Sequence, residues 1–169
     1  MERESLKWLK WGFIFLHVHI TFVVDLLPDF VGMLMLFASL RCHKCLSEAE
    51  ERIQPLFLVL AVDYLLHWIF PFEIGLEKLM MTVISIYANY VLLGEVARRI
   101  RESQPERAKR LDVIRVCNVL VQTVIFMVSA YEVAGLNEIL VLVSLGMLIA
   151  MMVVVCGIQP EEEQEWENG

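Results

Sequence analysis

Residues 139–158 read ILVLVSLGMLIAMMVVVCGI, twenty positions without a charged side chain. A hydrocarbon core about 30 Å thick is crossed by roughly 20 apolar residues of helix. A helix on a water-soluble surface shows a polar stripe at helical period. This segment is apolar all round and has no face to give to water. The reading that follows is a helix in lipid.

The same argument extends along the chain. Of 169 residues, 58% are hydrophobic and mean hydropathy is +0.62, against about 45–50% apolar in an ordinary soluble domain. Charges gather at 1–10, 41–52, 98–115 and 161–167, and long apolar stretches lie between them. Thirteen of the fourteen Lys and Arg residues fall in the first three of these clusters, and only Lys78 lies apart. The net charge of −7 owes much to the acidic last nine residues. The basic stretches carry no interleaved aromatic residues to stack on bases, which argues against a nucleic-acid partner.

The fold class expected is all-α: a polytopic membrane bundle of six transmembrane helices, in three successive hairpins over one domain, 1–160. An acidic tail, 161–169, is expected to be disordered. Helices are predicted over 6–27, 28–41, 53–70, 76–102, 111–131 and 138–158. Pro28 suits a first helical position, and Asp29 complements the helix dipole. Ser47-Glu48-Ala49-Glu50 has the form of a helix start. Asn137 is a candidate N-cap. The basic clusters alternate with turns that hold only Lys78, so the positive-inside rule places both ends in the cytoplasm of a multi-pass cell-membrane protein. Four crossings plus a re-entrant hairpin at 11–40 satisfy the same charge pattern. No cleavage site follows the first apolar run, which reads as a retained helix.

Ionisable groups at membrane depth cost roughly 2.5–3.5 kcal/mol on insertion scales unless paired or wet. They are therefore the candidate sites. Asp63 and His67 stand four residues apart on one helical face. Such a pair suits a proton relay, a cation site or half a metal site, or simply locks helix packing. His17 falls near the middle of the first segment, with His19 pointing elsewhere. Asn89, Asn118 and Gln122 add neutral polar groups, all of which serve equally as interhelical glue. His17, Asp63, Asn89 and Gln122 fall at comparable depth on four helices, which predicts a polar layer around a small cavity. Asp25, Pro28 and Asp29 form the first outer turn.

Cys42-His43-Lys44-Cys45 has the spacing of a metal knuckle but lacks a second ligand pair, so no metal and no cofactor are expected. The cysteines all fall towards the basic side, where thiols stay reduced. Enzyme motifs are absent. The partners expected are the lipid bilayer and a membrane or cytosolic protein docking on the basic stretch 98–110.

The run Asp25-Leu26-Leu27-Pro28-Asp29-Phe30-Val31-Gly32 resembles a turn found in small uncharacterised multi-pass membrane proteins of bacteria. There an acidic Leu-Pro-Asp-Phe-x-Gly turn joins the first two apolar segments. That resemblance implies a bacterial membrane protein and no particular activity. In size and helix count the chain also looks like the substrate-binding membrane subunits of bacterial vitamin importers. The functional expectation is a small transport or solute-binding subunit. Its alternative is a non-catalytic interaction protein.

Overall fold

The computed structural model describes residues 3–17, 29–42, 46–70, 75–131 and 136–159. Over these residues the chain is all-α, with six helices and no strand: α1 (Arg3–His17), α2 (Asp29–Arg41), α3 (Glu48–Ile69), α4 (Gly75–Ile100), α5 (Pro105–Tyr131) and α6 (Leu136–Cys156). Successive helices pack against one another, and α6 touches α1 to close the ring. The predicted tail at 161–169 lies outside the described residues.

Local chemistry explains several ends. Ser47 closes a full capping box on α3: its hydroxyl accepts from the Glu50 N–H at 3.2 Å, and the Glu50 carboxylate accepts from the Ser47 N–H at 2.8 Å. Two orphan donors of the first turn are thereby satisfied. α2 begins at Asp29, with its acid on the positive end of the helix dipole. α3 starts at Glu48, at the helix start read from Ser47-Glu48-Ala49-Glu50 and ahead of the apolar run from 53, and α5 starts earlier than predicted, at Pro105. Their first turns are charged and lie beyond the apolar run, where helix chemistry continues after hydropathy has stopped. α6 begins at Leu136, so Asn137 lies inside the helix and is not its cap.

At the basic end the packing is tied by ion pairs. Arg99 reaches from α4 to grip both oxygens of Glu50, which is 1% exposed. Ser47 donates to Glu95 at 3.0 Å, and Arg98 donates to the same carboxylate. Lys10 donates to the Ile158 carbonyl at 2.8 Å, and Gln104 to that of Gln159 at 3.1 Å. The first bond links α1 to the segment after α6, and the second ties that segment to the α4–α5 turn.

α1 and α2 approach closely through small residues. A Cβ on Gly32 would lie 2.9 Å from the Leu16 nitrogen and 3.0 Å from the Gly12 carbonyl oxygen. On the same seam the buried Ser5 hydroxyl donates to the Ser39 carbonyl at 3.0 Å. Small residues and interhelical hydrogen bonds hold helices together where apolar burial gives little drive.

The outer surface is inverted relative to a water-soluble bundle. Val62 and Leu66 on α3, Val83 and Tyr87 on α4, Leu120 and Val124 on α5, and Leu142 and Val153 on α6 are all exposed. Soluble monomers rarely expose contiguous apolar patches beyond a few hundred Å². Among the described residues, three helices are long and apolar enough to cross a membrane: α3, α4 and the part of α5 from Pro105 to Val128. α6 adds the shorter apolar run Leu142–Cys156. Trp8 and Trp11 stand exposed towards the basic end and Trp68 towards the other, the placement of interfacial aromatic belts. The chain is thus a membrane-associated helical protein.

Candidate functional site

Two polar assemblies lie within the apolar shell. The larger is a central cavity of about 270 Å³ to which all six helices contribute. Phe13 and Leu16 of α1, Met33 of α2 and Met151 of α6 give it apolar walls. Its polar lining comes from Asp29 at the start of α2, Tyr64 of α3, Thr82, Ser85 and Asn89 of α4, and Asn118 and Gln122 of α5. Thr82, Ser85 and Asn89 recur at three- and four-residue steps, which puts them on one helical face. Asn118 and Gln122 share a face for the same reason.

Asn89 is only half satisfied. Its amide nitrogen donates to the Ser85 carbonyl at 2.9 Å, and its buried Oδ1 meets no hydrogen-bond partner among the described residues. Thr82 instead turns its hydroxyl back on its own helix, donating to the Lys78 carbonyl at 2.7 Å, the usual way a mid-helix threonine satisfies itself. An acceptor left unpaired away from water costs about 1–3 kcal/mol. A wet or liganded cavity removes that cost.

The second assembly joins α3 to α4. Asp63 is 9% exposed and His67 lies one turn on. The His67 Nδ1 is 3.6 Å from the Asp63 Oδ1 and 3.0 Å from the Asp63 main-chain carbonyl. Glu77, in the first turn of α4, completes the group: one ligand atom from each of the three side chains lies within 4.8 Å of the others. The Glu77 Oε2 is buried and meets no hydrogen-bond partner among the described residues.

The expected single polar layer is thus divided between two places. Asn89 and Gln122 line the cavity, whereas Asp63 and His67 are not among its lining residues and gather with Glu77 instead. The reason is helical phase. Neighbouring positions on a helix differ by about 100°, so Tyr64 takes the cavity face of α3 and Asp63 turns towards α4. Asp29, predicted as part of an outer turn, lines the cavity. His17 ends α1, and its side chain lies outside what is described, as do Asp25, Pro28 and His19. Cys42, Cys117 and Cys156 are free thiols, while Cys45 falls outside the described residues.

Tyr64, Thr82, Ser85 and Glu77 were not foreseen. For Glu77 a signal existed: His67 stands two residues before the end of α3 and Glu77 two residues after the start of α4. Across a tight helical hairpin such positions face each other.

Comparison with protein-family models, with curated proteins and with solved structures finds no match to this chain.

Proposed function

We propose that this chain is a six-span protein of the cell membrane, with both ends in the cytoplasm, that binds a small polar solute in its central cavity as a transport or solute-binding subunit. One observation carries the reading: a cavity of about 270 Å³ lined by hydroxyl, amide and carboxylate groups inside an apolar-faced bundle. That volume is roughly that of nine liquid waters, at the small end of ligand pockets. The amides of Asn89, Asn118 and Gln122 both donate and accept, which suits a solute with hydroxyl or amide groups. Asp29, the one charged residue of the described lining, works against an anion.

The alternative, a protein that docks a partner through the basic stretch, has less support. Arg98, Arg99, Arg101 and Lys109 already meet carboxylates of this chain at Glu95, Glu50, Asp112 and Glu106. Charge that is paired in-chain attracts a partner less.

The test is thermal stability of the purified chain in detergent across small polar solutes. A ligand at a hundred times its Kd adds about 2.7 kcal/mol to stability. A solute that raises the melting temperature of the parent and not of Gln122→Leu supports the reading. Identical responses of parent, Gln122→Leu and Asn118→Leu to every solute overturn it.

A further inference from the structure

We propose that Asp63, His67 and Glu77 form a divalent transition-metal site at the α3–α4 hairpin, separate from the central cavity. The donors converge from two helices to within 4.8 Å of one another. Two donors at about 2.1 Å from a tetrahedral metal stand about 3.4 Å apart, a spacing that small side-chain rotations reach from this grouping. Glu77, an unbranched side chain with three rotatable bonds, supplies the remaining adjustment.

Three further observations favour a metal over a packing lock. A lock satisfies its own polar atoms, yet the Glu77 Oε2 is buried without a hydrogen-bond donor. Asp63 and Glu77 bring two carboxylates together on the walls of an apolar bundle, where a shared proton or a cation relieves their repulsion, and the adjacent imidazole makes a cation site of them. The His67 Nδ1 lies 3.0 Å from the Asp63 main-chain carbonyl. A ring that donates its Nδ1 proton to a carbonyl keeps a lone pair on Nε2, which is how ligating histidines are commonly held.

The donor set selects the ion. One imidazole with two carboxylates suits zinc, manganese or ferrous iron, and an imidazole disfavours magnesium and calcium. Three protein ligands leave positions open to water or to a ligand. The site lies at the end of the bundle away from the basic loops, since His67 and Glu77 stand near the ends of their helices there. It is placed to take an ion from that side.

The experiment is equilibrium titration of the full chain, purified in detergent without a polyhistidine tag, with Zn²⁺ and with Co²⁺. One ion per chain is expected, with Co²⁺ spectra of nitrogen and oxygen ligation. Glu77→Gln, which keeps size and removes charge, is expected to weaken binding by at least about tenfold, and His67→Gln likewise. Cys42→Ser/Cys45→Ser should bind as the parent does. The proposal is overturned if the parent binds no stoichiometric metal, if Glu77→Gln and His67→Gln both bind as tightly as the parent, or if the spectra show sulfur ligation. None of these outcomes depends on whether the central cavity binds a solute.

Discussion

The Ser47–Glu50–Glu95 cluster at the basic end of the bundle and the middle of the bundle treat polar side chains in opposite ways. At the basic end the buried Glu50 carries the Ser47 N–H and a two-pronged Arg99, and Glu95 carries Ser47 and Arg98. In the middle the Asn89 Oδ1 faces a cavity with no partner among the described residues, and near the far end the Glu77 Oε2 is buried in the same condition. Both regions belong to one chain with one lipid-facing coat. Pairing at Glu50 and Glu95 ties α3 to α4, and the groups left open elsewhere are those that the proposed solute and metal would use.

The strongest way to break that contrast is Glu50→Ala. It strands Arg99 and opens the capping box at once. Removing one partner of a buried pair costs about 3 kcal/mol or more, read as a lowered denaturation midpoint in detergent. A change under about 1 kcal/mol would mean that the pair does not hold the basic end together.

Packing without charge gives the next largest effect. Gly32→Ala presses a Cβ against main-chain atoms of α1 at 2.9–3.0 Å and is expected to cost about 2 kcal/mol by overpacking. Gly146→Ala has no atom within 4 Å and should leave stability unchanged or slightly raised by the same assay, since alanine favours the helix.

Asn89→Leu sharpens the comparison from the other side. It removes the acceptor while keeping a branched side chain and, since water in a wet cavity already meets the Asn89 Oδ1, is expected to change the stability of the solute-free protein by less than about 1 kcal/mol. A larger loss of stability would make Asn89 a structural tie like those of the basic end.

The smallest effect is expected at Lys109→Ala. Both side chains are about three-quarters exposed, Lys109 at 75% and its partner Glu106 at 76%. Such surface pairs contribute at most about 0.5 kcal/mol. Beside Glu50→Ala, this separates burial from mere pairing.

The helical class was legible because apolar runs between charge clusters leave few other solutions, and Ser47 announced its capping box by residue type and spacing. The apolar runs alone place the starts of α3 and α5 too late, because hydropathy marks the lipid boundary while the helix runs on through Glu48–Arg52, where Ser47 signals the true start, and through Pro105–Arg110. Asn89 and Gln122 were found by depth alone. Asp63 was found with its neighbour His67 but was grouped with Asn89 and Gln122, whose cavity it does not line, since depth says nothing about which way a helix is turned. Glu77 escaped notice because a first-turn acid already has an ordinary explanation in the helix dipole. Only the packing of α3 on α4 brings it to His67.

The central claim is an apolar exterior facing lipid around a wet polar interior. Gln122 and Leu120 lie two residues apart on α5, the first lining the cavity and the second 61% exposed on the outer face. In a cysteine-free background in native membranes, Gln122→Cys and Leu120→Cys can be compared with a small, charged, water-soluble thiol reagent. Labelling of Gln122→Cys with Leu120→Cys untouched is the predicted result. Labelling of Leu120→Cys as fast as, or faster than, Gln122→Cys would contradict it, because the outer face of α5 would then lie in water.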